Sequence, residues 1–249
     1  MKRQYLASLI VCGIVAFAAD AGAQTAGWGN NGYISLNSLY QTTPLTFTTT
    51  STLDVNQESG EVRTGHRIAP GFVYDVTAGG KVKGKLGVST AVSYRQQTEF
   101  GQVSATIPHP FYFNQARLVA GTAGLNRSDL ALHLAAQYLM PVSDKLEVSL
   151  FGGPTYFRVN QDVVGNVETK ETFPYDVAQY AGATVSREHA SHVGYNAGAD
   201  VAVFFTNALG VGGLVRYSQA TVQMPTPDGG SNSLKVGGLQ MGAGLRVKF

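Results

Sequence analysis

Cysteine is almost missing from this chain of 249 residues; the single one, Cys12, lies in an apolar stretch near the N-terminus. A disulfide framework is therefore excluded. Charge is scarce as well, with Asp, Glu, Lys and Arg making up 14% of the chain against about 25% in soluble domains. The formal net charge of +2 supplies no electrostatic reason to expect a nucleic-acid partner. Past the first residues no apolar run reaches the roughly 18 residues that a membrane-spanning helix requires. What the chain has instead is glycine, 30 residues of it, and a strict alternation of apolar and polar side chains.

The alternation is clearest over residues 233–249. Phe249, Val247, Leu245, Ala243, Met241 and Leu239 alternate with Lys248, Arg246, Gly244, Gly242 and Gln240. A period of two places these sets on opposite faces of one strand. One face suits hydrocarbon and the other suits water. The N-terminus complements this: Lys2 and Arg3 are basic, residues 5–19 are apolar, and Ala21-Gly22-Ala23 offers a small-residue cleavage site. That pattern predicts a secretory signal peptide over residues 1–23, with a cut after Ala21 as the alternative, and a mature domain over 24–249. A secreted, charge-poor chain of alternating strands has one membrane solution, a closed barrel.

Seven further segments repeat the pattern, giving eight in all. They centre on Leu36, Tyr74, Val92, Leu134, Val148, Val201 and Val215. The expected fold is all-β, an antiparallel up-and-down transmembrane barrel of eight strands. Short connections near residues 82–85, 141–144 and 207–209 are expected in the periplasm. Long loops are expected outside, over residues 41–65, 98–127, 161–192 and 222–232. The threonine-rich residues 42–52 read as strand continuing beyond the bilayer. Tyr40, Tyr94, Tyr195 and Tyr217 fall at the loop ends of their strands, and Tyr138, Phe205 and Phe249 at the turn ends, all on the lipid-facing parity. They form two expected interfacial girdles. Pro70 and Pro154 fit poorly inside strands of a barrel without free edges and point to bulges or to strand portions above the membrane.

The opposite parity carries Arg67, Asp75, Arg95, His133, Glu147, Asp200, Arg216, Arg246 and Lys248. Both signs occur, and an isolated charge in a dehydrated interior is very costly, so a paired charge network is expected in the lumen. A three-residue turn at 207–209 would set Asp200 opposite Arg216. Eight strands leave room for side chains alone, which favours a plugged interior over a conducting one. The four long loops together are acidic, which argues against capture of polyanions.

Three motif matches carry less. Residues 79–85 match phosphate-loop spacing, but Leu86 stands where Ser or Thr must hold magnesium. His189 and His192 lack a third metal ligand, so neither metal nor cofactor is expected. His189 and Ser191, with Glu188 nearby, are similar to the catalytic pair of outer-membrane lipid A deacylases.

On its closing strand, on residues 107–114 and 141–147, and on Asn196-Ala197-Gly198-Ala199-Asp200, the chain resembles the small outer-membrane barrels of Gram-negative bacteria. That group includes the transmembrane half of outer-membrane protein A and uncharacterised barrel-domain proteins. The resemblance implies an outer-membrane address, contact with outer-membrane lipid and lipopolysaccharide, and recognition of the strand ending in Phe249 by the barrel-assembly machinery. It implies no activity, because this architecture hosts many functions. The expected role is non-enzymatic, structural or surface-interacting, with an unidentified extracellular protein as a candidate partner. A narrow passive pore is the alternative, and a lipid-modifying enzyme using His189 and Ser191 the third reading.

Overall fold

The computed structural model describes residues 32–227 and 229–249; the expected signal peptide and Cys12 lie outside the described residues. Ten antiparallel strands follow in order: β1 (Gly32–Gln41), β2 (Leu45–Val55), β3 (Glu58–Ile68), β4 (Gly71–Lys83), β5 (Leu86–Pro108), β6 (Ala116–Pro141), β7 (Leu146–Glu171), β8 (Ala178–Phe204), β9 (Leu209–Pro225) and β10 (Ser231–Lys248). Eight of them close a ring, β1-β4-β5-β6-β7-β8-β9-β10, with β10 returning to β1. The closing pair runs from Tyr33↔Lys248 to Gln41↔Gln240. Strands β2 and β3 form a hairpin that extends the ring upward between β1 and β4, and β3 pairs with the upper part of β5.

The strands are far longer than a bilayer needs. A tilted spanning strand takes roughly 9–11 residues, whereas β6 and β7 have 26 each and β8 has 27. The segments expected as long loops are therefore mostly strand, which is a correction. Among the described residues the connections at that end shrink to residues 56–57, 109–115, 172–177 and 226–230.

Above the membrane the cylinder opens into three packets. Strands β6 and β7 stop pairing beyond Arg127↔Gln161, β8 and β9 beyond Tyr195↔Gln219, and β1 and β10 beyond Gln41↔Gln240. At the last seam Gly237 and Gly238 take positive φ values of 94° and 132°. A Cβ on Gly238 would lie 2.8 Å from Thr43 Oγ1, so the chain turns away from β1 where only glycine fits. Hairpin β7–β8 folds across the mouth, and Ser51 Oγ of β2 donates to the Gly165 carbonyl at 3.1 Å.

Two local registers differ from expectation. Between β1 and β2 lie three residues, against two between β3 and β4, so one extra residue stands on the β1–β2 side. This rephases the other side at Ala69-Pro70, where proline offers no N–H to a ladder. Ile68 consequently points inward and Arg67 outward, while Phe72 and Tyr74 face out. Arg67 thus leaves the expected lumen set. The β8–β9 turn is centred on residues 206–208: Phe205 N donates to Leu209 O at 2.9 Å, and Leu209 N donates to Thr206 Oγ1 at 2.9 Å. The shift places Asp200 opposite Leu214 and Arg216 opposite Gly198, so the expected Asp200–Arg216 pair does not form.

Candidate functional site

The lumen is filled by side chains in successive layers. At the periplasmic end Lys248 Nζ donates to Glu147 Oε2 at 2.5 Å and lies 3.9 Å from the centre of the Phe204 ring. The Tyr33 ring crosses the floor of the barrel. It fits because its neighbour is Gly79, where a Cβ would come 2.6 Å from the ring, and Gln137 Nε2 donates to its hydroxyl oxygen at 2.5 Å. The next layer joins Arg246 to Asp200 and to the Asn37 side-chain oxygen.

The middle layer is the most deeply buried. Asp75 Oδ2 accepts from Arg216 Nη2 at 2.6 Å and from Ser93 Oγ at 2.7 Å, while Asp75 Oδ1 accepts from Asn37 Nδ2 at 2.9 Å. Arg216 and Asp75 side chains are 2% and 0% exposed. Arg216 also donates to Ser93 Oγ at 2.7 Å and to Gln240 Oε1 at 3.1 Å. Removing charges from water costs several kcal/mol each, and a pair recovers it only when the remaining donors and acceptors are also used. Here both carboxylate oxygens are used. His133 stands 3.1 Å from Ser93 Oγ through Nε2 and 2.8 Å from Thr155 Oγ1 through Nδ1.

Serine, histidine and aspartate thus meet in one layer, but their roles are not those of a nucleophilic triad. Ser93 Oγ donates to Asp75 Oδ2 and accepts from Arg216 Nη2, with His133 Nε2 beside it at 3.1 Å. A serine whose proton is given to a carboxylate and whose oxygen accepts from a guanidinium is not activated for attack. Between this layer and the floor is a small cavity of about 30 Å³, lined by Tyr33, Asn37, His133, Gln137, Asn196 and Asp200 among others.

Arg95 sits above this layer, only 4% exposed, and donates to the Ala69 carbonyl and to Gln97 rather than to a carboxylate. Its cross-strand neighbour Asp129 pairs instead with Arg127 at 2.9 Å. Beyond that the lumen turns apolar: Phe157, Val159, Val222, Met224, Leu234 and Val236 close it together with Leu45 and Phe47. Higher still, His66 Nδ1 and Glu99 Oε1 meet at 2.9 Å, with Phe47 stacked on the imidazole at 4.3 Å. A second apolar core, including Leu53, Val62, Val103, Leu125 and Val164, lies above them. The His66–Glu99 pair has no lipid-facing alternation around it in the sequence. Only its inward parity on β3 and β5 signals it.

On the outer wall, Leu86, Leu132, Leu134, Leu150, Val201, Val215 and Leu245 form an exposed apolar belt. Tyr40, Tyr94, Tyr195 and Tyr217 stand exposed at its upper rim, and Tyr138, Phe205 and Phe249 at its lower rim. A closed ring with a charged, filled interior and an exposed apolar belt between aromatic rims has one compatible solvent, a bilayer. This is an outer-membrane β-barrel.

The barrel matches no family model, and no curated protein matches its sequence. Its fold is similar to several solved outer-membrane structures. The outer membrane protein OprG from Pseudomonas aeruginosa is 12% identical, with 88% of this chain and 96% of that chain covered and a TM-score of 0.45. Neisserial surface protein A is 13% identical, with coverage of 88% and 97% and a TM-score of 0.43. The outer membrane protease OmpT from Escherichia coli is 7% identical, with coverage of 91% and 99% and a TM-score of 0.42.

The remaining candidate residues are not assembled into sites. His189 and Ser191 are both exposed on β8, and no hydrogen bond joins them among the described residues. Glu188 lies on the opposite parity, where its carboxylate accepts from Ser186 Oγ at 3.3 Å. A deacylase arrangement needs the acid to orient the histidine, and here the pleat separates them. Among the described residues no three His, Cys, Asp or Glu side chains group to hold a metal. Residues 79–85 form a strand end and a tight turn, with no helix following.

Proposed function

We propose that this barrel is a non-enzymatic surface protein whose role is to hold a rigid β scaffold outside the cell for an extracellular protein partner. The observation that carries this reading is the second apolar core. Leu53, Val62, Val103, Ile107, Val119, Leu125 and Val164 are each less than a tenth exposed, and they lie above the membrane belt. A barrel serving only as an envelope component needs no such core, because short loops would satisfy the strand ends. A narrow passive pore is supported less well. The Asp75–Arg216 layer, the Phe157–Val222 layer and the folded β7–β8 hairpin all occupy the path. The lipid-modifying reading lacks an assembled His189–Ser191 pair.

The test is to shorten β5–β6 and β7–β8 to the outer aromatic rim and display the variant on cells. The trimmed protein is expected to keep its heat-modifiable folded barrel and to lose the adhesion to protein-coated surfaces conferred by the full chain. Large, stable conductance of the full chain in planar bilayers would replace the reading with a pore. A changed lipid A mass spectrum on expression would replace it with an enzyme.

A further inference from the structure

The β5–β6 and β7–β8 connections lie beyond the upper apolar core, and both carry large apolar side chains. Phe111, Tyr112, Phe113, Phe173 and Val177 are all more than half exposed. The β5–β6 connection begins 14 residues beyond Tyr94 along β5, or ~48 Å of strand at about 3.4 Å per residue, and the β7–β8 connection is clamped beside it. They are therefore well clear of the bilayer that the aromatic rims define. Loop tips in water normally carry small polar residues.

The rings form one connected surface across two hairpins. Phe111 meets Tyr175 edge-on at 5.5 Å, Tyr175 meets Phe173 at 6.1 Å, and His109 lies 4.9 Å from Tyr112. The backbone beneath is tied down. Arg117 donates to the carbonyls of Tyr175 and Pro108, both at 2.9 Å, and pairs with Glu171 at 2.8 Å, so one buried guanidinium clamps both tips together. His109 Nδ1 accepts from the Phe111 and Tyr112 amides at 3.1 and 3.3 Å. Asn114 N donates to Glu58 on the neighbouring β2–β3 hairpin at 3.0 Å. Such pre-organisation lowers the ordering cost of binding.

The surroundings are acidic. Arg117 is consumed by Glu171 and Arg63 by Glu61 at 2.5 Å. Asp54, Glu58, Glu168 and Asp176 then outnumber Lys170 among the described residues of these tips, with Asp176 Oδ1 3.6 Å from His109 Nε2. An aromatic surface with an acidic rim attracts a cation twice, through the ring faces and through the carboxylates.

We propose that the Phe111–Tyr175–Phe173 surface is a docking site for a protein segment that combines Lys or Arg with apolar side chains. The proposal rests on the surface-binding reading above and names its contact and its chemistry. The opposing choice, insertion into a second membrane, is disfavoured by the same acidic rim, since cellular membrane surfaces are anionic.

The test uses the full-length barrel in lipid nanodiscs. The probes are a fluorescent twelve-residue peptide of alternating Arg, Leu and Pro and a twin with Glu in place of Arg. The Arg peptide is expected to bind, with an affinity that falls as salt is raised, and the Glu twin is not. The double variant Phe111→Ser, Phe173→Ser should weaken binding by about tenfold or more. Glu58→Gln with Asp176→Asn, which keeps the side-chain oxygen that Asn114 uses, should weaken it a few-fold and flatten the salt dependence. Heat-modifiable gel migration checks that each variant is folded. Equal binding of both peptides, or binding of neither, overturns the cation chemistry. Unchanged binding by the double-Ser variant overturns this location while leaving surface binding intact. Co-flotation with anionic vesicles that depends on Phe111 and Phe173 and exceeds peptide binding assigns the tips to a membrane instead. Adhesion that survives trimming back to the aromatic rim defeats the wider reading separately.

Discussion

Strand β5 passes through two environments without changing its geometry. In the bilayer its odd positions, Gly87, Ser89, Ser93 and Arg95, point into a polar lumen while Leu86, Val88 and Tyr94 face lipid. Past Glu99 the odd positions Val103, Ala105 and Ile107 still point inward, but they are now the apolar set, and Gln102, Ser104 and Thr106 face out. Strands β6, β9 and β10 do the same, with Leu125, Val222 and Leu234 buried on the parity that carries His133, Arg216 and Gln240 below. The pleat is constant and the solvent outside changes. Where the surroundings are hydrocarbon, polar groups are driven inward; where they are water, the hydrophobic effect restores the usual arrangement.

The inversion can be broken at either half. The largest effect is expected from Asp75→Ala, which leaves Arg216 buried without its counter-ion. The cost is about 3–5 kcal/mol of barrel stability, read as a lower urea midpoint for folding into detergent micelles. Restoring only shape, with Asp75→Leu and Arg216→Met together, should recover most of it.

Next in size is a contrast on the outer wall. Leu134→Arg in the apolar belt should cost roughly 2–4 kcal/mol, whereas Thr106→Arg on the same outward parity of the upper half should change stability by less than about 0.5 kcal/mol. Equal costs would mean that the belt extends as far as Thr106 and that no inversion exists. A local effect is expected from the upper core. Leu125→Ala removes a fully buried side chain and should cost about 2–3 kcal/mol locally. It should speed proteolysis of β5–β6 above the rim while the membrane-embedded fragment keeps its heat-modifiable migration. If the embedded half loosens equally, the two halves fold as a single unit.

This inversion also explains what was legible beforehand. The membrane portions of the eight walls could be read because lipid-facing apolar residues at period two have no other good explanation in a secreted chain. Above Glu99 the apolar set shifts to the other parity, and the pattern of Val103, Ala105 and Ile107 against Gln102, Ser104 and Thr106 looks like an interruption rather than a strand going on. The aromatic residues at the rims were visible as a pattern. The clamp of Arg117 over Tyr175 was not, because its partners are 58 residues apart and no periodicity links them.

Arg67 and the Asp200–Arg216 pair failed for a shared reason. Parity is inherited along a strand until a single inserted residue resets it. The irregular join at Ala69-Pro70 turned Arg67 outward, and one residue of recentring in the β8–β9 turn took Arg216 away from Asp200. The sequence by itself determined the solvent, the period and thereby the wall of the barrel, since these follow from where each side chain is soluble. Charge partners, the closure of the mouth and the assembly of Phe111, Tyr175 and Phe173 into one surface were decided only by the tertiary structure. They depend on cross-strand register and on strands that never meet in sequence, where a shift of one residue changes every contact.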